Sequence, residues 1–173
     1  MTPATRRSGA MLAALLLLGA AGAAAAGPVR FVQDRFVVGL WVPPATQENL
    51  DARYREIAEA NFTLVVGQSG TNTAAHLRRC KRFGLKTLIP AHGPAEKLPD
   101  GPACWGYLLR DEPGAGAFAE LARRAEEIRA RRPGRFGYVN LFPNYAPPGA
   151  LGTPTCEEHV ARFVREVKPE VLS

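Results

Sequence analysis

The feature that most constrains this chain is an alternation. Short apolar runs are followed, again and again, by segments whose apolar residues recur at helical spacing. Phe36-Val37-Val38-Gly39-Leu40-Trp41 reads as a buried strand, closed by Pro43-Pro44, with Thr46 placed to cap the next helix. In that helix Leu50, Tyr54, Ile57 and Ala58 share one face. Phe62-Thr63-Leu64-Val65-Val66 reads as a second strand, followed by a helix carrying Ala74, Leu77 and Cys80 that Gly84 is placed to end.

The pattern continues through the second half. Lys86-Thr87-Leu88-Ile89, stopped by Pro90, and Trp105-Gly106-Tyr107-Leu108-Leu109 read as third and fourth strands. The clearest helix follows, with Phe118, Leu121, Ala122, Ala125 and Ile128 on one face and Pro133-Gly134 closing it. Phe136-Gly137-Tyr138-Val139-Asn140-Leu141 reads as a fifth strand. Val160, Phe163, Val164 and Val167 form a last helical face before Pro169, and Val171-Leu172 looks like the start of a sixth strand. Apolar strands separated by amphipathic helices indicate parallel βαβ units, so the expected fold class is α/β. One link is thin. Only Gly93 to Cys104, rich in Pro and Gly, join the third and fourth strands, about the minimum for a parallel crossover.

The first 26 residues are expected to lie outside this fold. Arg6 and Arg7 precede an apolar run from Ala10 to Ala21, and Ala24-Ala25-Ala26 offers a small-residue cleavage site before Gly27. That is the anatomy of a secretory signal peptide, and the run is short for a membrane span. Ser8-Gly9-Ala10 continues a twin-arginine signal poorly, so general secretion, to the periplasm or outside, is the expectation. Residues 27–173 then form one unit, with no membrane span once the signal is cleaved.

Losing Arg6 and Arg7 lowers the net charge from +6 to +4, with basic and acidic residues mixed along the helices. Nucleic-acid binding would want a basic stripe with interleaved aromatics, and none is present. Cys80, Cys104 and Cys156 are an odd set without zinc spacing, and read as small buried hydrophobes. No His-x-x-x-His occurs, and Gly67-Gln68-Ser69-Gly70 lacks the full pattern of a nucleotide-binding loop, so neither metal nor cofactor is expected.

In parallel α/β folds the working residues sit on the loops after the strands. Those positions hold Trp41, Gln68, His92, Asp111 with Glu112, and Asn140 with Asn144. Each has a plain structural alternative. Trp41 could stack on a ligand ring or pack a rim; His92 could bond a substrate or serve the fold. Gln68 sits in what could be only a turn, Asn140 reads as a ligand contact, and Asn144 and Tyr145 read as loop-shaping residues. Asp111 could cap the helix that follows it. Glu112 could be a surface carboxylate near a helix N-terminus. A partly apolar site and the neighbouring Asp111 charge would instead raise its pKa and suit it to general-acid work.

Asp111-Glu112-Pro113 at the end of the fourth strand resembles the Asn-Glu-Pro that carries the acid/base of the large (β/α)8 glycoside hydrolase clan including β-galactosidases and cellulases. The run Gly106-Tyr107-Leu108-Leu109-Arg110-Asp111-Glu112-Pro113, with Tyr138-Val139-Asn140-Leu141-Phe142-Pro143, looks like that of glycoside-hydrolase-like exported proteins. The resemblance implies the N-terminal portion of a TIM (β/α)8 barrel, with Glu112 as acid/base. Asp111 would stand where the clan's Asn contacts the sugar 2-hydroxyl. It also implies a nucleophile after a seventh strand, whereas this sequence reaches only a sixth. Double displacement needs two carboxyls about 5 Å apart. The chain is therefore expected to be an incomplete barrel, a fragment whose parent acts on or binds carbohydrate. The competing expectations are a non-catalytic glycan-binding or surface module on the same scaffold, and a complete small open-sheet domain of unrelated function.

Overall fold

A computed structural model describes residues 29–44, 48–67 and 73–172. The expected signal peptide, the Thr46 cap and the Gln68-Ser69-Gly70 turn lie outside these residues. The elements alternate as expected: β1 (Gly39–Leu40), α1 (Leu50–Glu59), β2 (Leu64–Val66), α2 (Thr73–Arg82), β3 (Lys86–Pro90), β4 (Cys104–Asp111), α3 (Phe118–Arg131), β5 (Phe136–Asn140), α4 (Pro148–Leu151) and α5 (Cys156–Val167). The strands form one sheet in the order β1-β2-β3-β4-β5, every pairing parallel. The class is α/β.

The helices all serve one face of this sheet. Val65, Ile89 and Tyr107 pack with Tyr54 and Ile57 of α1, Leu77 and Cys80 of α2, and Ile128 of α3. Val139 and Leu141 pack with Phe118, Leu121 and Ala125 of α3 and Phe163 and Val167 of α5. Side chains alternate across a strand, so the neighbours of these residues point the other way. There Leu64, Val66, Leu88 and Phe136 cluster with Trp105, the extra residue of a register shift between β3 and β4; no described helix residue joins them, and Phe31, Val37 and Val171 come from irregular segments.

Phe31 belongs to a strap that the sequence pattern did not announce. It crosses the N-terminal ends of the strands in turn. The Gly134 N–H just before β5 donates to Val29 O (3.0 Å). Phe31 packs on Phe136 and Trp105, with ring centroids 4.4 and 5.4 Å apart. Asp34 pairs with Lys86 at the start of β3, and Arg35 donates to Gly84 O. Finally the Thr63 hydroxyl donates to Phe36 O and accepts from Val38 N–H. Polar backbone and apolar rings alternate along the strap, so one edge of the sheet is closed without regular structure.

Several expectations need correction. The first strand is only two residues long and lies at the sheet edge. It is not buried: Phe36 is 83% exposed, and Val38 and Trp41 are exposed as well. Among the described residues no strand pairs beyond it, which leaves its apolar residues open on that side. Val171 and Leu172 form no strand; Val171 rests against the apolar cluster of the concave face. Ala74 and Val164 sit on the exposed sides of their helices, while His76 and His159 are buried among the core positions. Cys80 and Cys104 are buried free thiols as expected, but Cys156 is partly exposed. The thin link between β3 and β4 contains a single 3-10 turn, Ala95–Lys97.

Around His76 the burial of polar groups is compensated. The Tyr54 hydroxyl meets His76 Nδ1 at 2.6 Å, and His76 Nε2 meets the Thr87 hydroxyl at 2.7 Å. The Thr87 hydroxyl donates to Leu88 O, so it accepts from Nε2–H and leaves Nδ1 to accept from Tyr54. Both ring nitrogens are satisfied in the neutral form. Burial, helped by the Arg79 charge, holds the His76 pKa down at about 4. The same burial pushes the Tyr54 hydroxyl and the Cys80 thiol each up to about 12.

Candidate functional site

The site grows from the C-terminal ends of β4 and β5. Asp111 and Asn140 are partners in the parallel ladder, and Asn140 Nδ2 donates to Asp111 Oδ1 at 2.7 Å. By alternation Asn140 lies on the same face as Tyr138 and Phe136, which line the concave groove. The carboxylate and the amide thus form a polar pair on the rim of an aromatic surface. Asp111 is the last residue of β4, so it does not serve the following helix as a simple cap.

Glu112 follows directly. Its N–H donates to Asn140 O (2.8 Å), which extends the ladder by one bond. Its φ is 45°, in the left-handed region that non-glycine residues rarely occupy. Three other described non-glycine residues share this sign of φ: Asn49, Asn61 and Lys168. Those three flank helix ends, where such a conformation ends or starts a helix. Glu112 has no helix to terminate. A residue held this way costs on the order of 1–3 kcal/mol, and such strain concentrates at functional sites.

The turn is held by close packing. Pro113 and Ala115 are buried. A Cβ on Gly114 would stand 2.8 Å from Ala150 O, and one on Gly152 would stand 3.2 Å from Ala115 N. Short α4 therefore presses its backbone against the turn two residues after Glu112. Behind it His159 is fully buried; its Nδ1–H donates to Leu151 O (2.9 Å), and its ring meets Phe118 at 4.9 Å. Nε2 of His159 has no hydrogen-bond partner among the described residues. The sequence signals for this support were Pro148 at a helix start, Gly152 at its end and Thr155 capping α5 through Glu158 N–H.

The remaining candidates are distributed around the same end of the sheet. Trp41 follows β1, is 41% exposed and lines a groove of about 440 Å³ that all five strands share. Phe31, Trp105, Phe136 and Tyr138 contribute the other rings of that groove. His92 follows β3 and is exposed on the thin link, taking no part in the Asp111–Asn140 pair. Asn144 and Tyr145 are exposed in the loop after β5. Gln68 lies outside the described residues. The structure joins Asp111, Glu112 and Asn140 at the C-terminal strand ends, and Trp41 lines the groove, of which none of those three is a lining residue. Glu112 itself stands in solvent rather than in the partly apolar pocket that the sequence argument invoked.

Among the described residues no three His, Cys, Asp or Glu side chains gather as a metal site would require. Among the same residues no helix is long and apolar enough to cross a membrane. No protein-family model, no curated protein and no solved structure matches the chain.

Proposed function

We propose that the chain is an exported, glycoside-hydrolase-like protein that engages carbohydrate at the end of the sheet bearing Glu112, and that its βα units are the first part of a (β/α)8 barrel. Sequential parallel strands with helices on one side are the repeating arrangement of such barrels, whose working groups sit at the C-terminal strand ends. Export rests on Arg6, Arg7 and the apolar run from Ala10 to Ala21.

The observation that carries the proposal is the strained Glu112 beside the Asp111–Asn140 pair, at the C-terminal end of the sheet face that also carries Tyr138 and Phe136. Sugar rings stack on aromatic faces through their C–H surfaces, while carboxylate and amide groups bond their hydroxyls. Glu112 supplies the proton to a leaving oxygen, and bound substrate excludes the water that now surrounds it. The test is hydrolysis of a panel of aryl glycosides by the exported protein and its Glu112→Gln variant. The rate should fall at least 100-fold, on the order expected for loss of a general acid. An unchanged rate with an unchanged pH profile would remove Glu112 from the mechanism.

One observation favours a second reading, glycan binding without turnover. The Asp111 carboxylate is engaged by Asn140, and the other described strand ends offer no carboxylate to act with Glu112. Calorimetric titration with oligosaccharides separates the two. Binding without product, lost in Trp41→Ala, marks a binding module.

A further inference from the structure

The far side of β4 carries a second groove with different chemistry. It exists because the link between β3 and β4 contains only a 3-10 turn where a crossover helix would otherwise cover the sheet. A link without helical hydrogen bonds must satisfy its backbone elsewhere, and α3 does this with side chains. Arg124 donates to the carbonyls of Ala91 and Gly93, and Arg132 donates to those of Ala95, Glu96 and Leu98. Glu127 accepts from Ala95 N–H at 3.3 Å and from Arg124 at 2.5 Å. Between this clamp and the end of β4 remains a groove of about 330 Å³, floored by Ala91, Leu109 and Leu121.

Its charged walls are unequal in commitment. Arg124 and Glu127 are spent on the clamp. Arg110, at the end of β4, meets Glu120 only at 3.6 Å, and both are exposed. An exposed pair at that separation holds its partners only weakly. Arg123 lines the groove from α3 and makes no ion pair among the described residues. Two guanidinium groups therefore face one concavity without strong partners. Each presents a planar fork of N–H donors that matches the oxygens of a carboxylate or a phosphate.

We propose that this outer groove binds the oxyanion group of a small ligand, a phosphate or a carboxylate, between Arg110 and Arg123, with the ligand's apolar part on Ala91, Leu109 and Leu121. Glu120 is displaced into water as the anion enters, and its weak contact with Arg110 makes that exchange inexpensive. Arg110 and Asp111 are consecutive but serve opposite faces of β4, so this site is separate from the carbohydrate face and does not depend on it.

The test is side-chain NMR of the arginine Nε–H groups in the full chain at constant ionic strength. Inorganic phosphate is titrated in one arm and acetate in the other. Saturable shifts confined to Arg110 and Arg123, with affinity reduced at least tenfold in Arg123→Ala, support the site. Saturation by phosphate alone identifies a phosphate-bearing ligand, and saturation by acetate identifies a carboxylate. Arg123 is exposed, so its substitution leaves the fold intact, and Arg123→Lys should retain part of the affinity. Shifts that never saturate, that spread equally to remote arginines such as Arg53 and Arg165, or that persist unchanged in Arg123→Ala would overturn the proposal.

Discussion

On one face of the sheet, Val65, Ile89, Tyr107 and Val139 lie beneath helices and reach close to complete burial. On the other, Leu64, Leu88, Trp105 and Phe136 meet no helix among the described residues; an irregular strap covers their N-terminal ends, and an aromatic groove lies above. The covered face also holds a fully bonded buried histidine, whereas the open face places its polar pair at the rim. The two faces have the same strands and the same alternation of side chains. What differs is whether anything is left to bind. Substitutions on the covered face should register as stability, and those on the open face as recognition.

The largest effect that sharpens this contrast is Phe118→Ala. Phe118 is fully buried against His159 and Phe163, so its loss should cost about 3–5 kcal/mol in urea denaturation. Trp41→Ala on the open face should cost under about 1 kcal/mol, as for a partly exposed residue, and should act on glycan binding instead. Equal losses would erase the distinction between the faces.

Next comes acid sensitivity of the covered face. Folding holds the His76 pKa at about 4 against a usual 6.5. A depressed histidine stabilises the fold fully above the unfolded pKa, and that stability drains away as pH falls from about 6.5 through 4. The loss should approach about 3 kcal/mol once the ring is protonated. Urea midpoints measured from pH 7 down to pH 4 should show this decline, and His76→Phe should flatten it, whatever its effect at neutral pH. An identical slope in the variant would assign the acid sensitivity to other groups.

A smaller effect should appear where the two faces meet. Gly114→Ala would set a Cβ 2.8 Å from the Ala150 carbonyl, and backbone cannot yield as a flexible side chain does. A loss of about 1–3 kcal/mol is expected, together with a displaced Glu112 turn. Weakened glycan binding in Gly114→Ala, beyond that of an equally destabilising change in α1, would show that α4 positions the site.

Much of the covered face was legible in the sequence because helical periodicity reports burial directly. Phe118, Leu121, Ala122, Ala125 and Ile128 were expected on one face of α3; four of them are buried there and Ala122 is partly buried. The open face was harder to read. Phe36 to Trp41 is apolar enough to pass for a buried strand, yet burial depends on a neighbouring strand that periodicity does not report. The strap was invisible because Phe31, Asp34 and Arg35 act through single contacts rather than a repeat. His76 was passed over because a satisfied core histidine leaves no trace in spacing. At the site, the strand-end rule placed Asp111, Glu112 and Asn140 together. The left-handed conformation of Glu112 and its support by α4 needed tertiary packing to appear.

That conformation offers the most direct test of the central claim, that the fold holds Glu112 in strain for use rather than for stability. Glycine occupies φ 45° without steric cost, so Glu112→Gly should raise stability by about 1 kcal/mol. The decisive measurement is the urea midpoint of this variant set beside its activity on, or affinity for, carbohydrate. The account predicts that the midpoint rises while carbohydrate turnover or binding falls. A variant that is less stable, or one that is more stable with carbohydrate recognition intact, would contradict it.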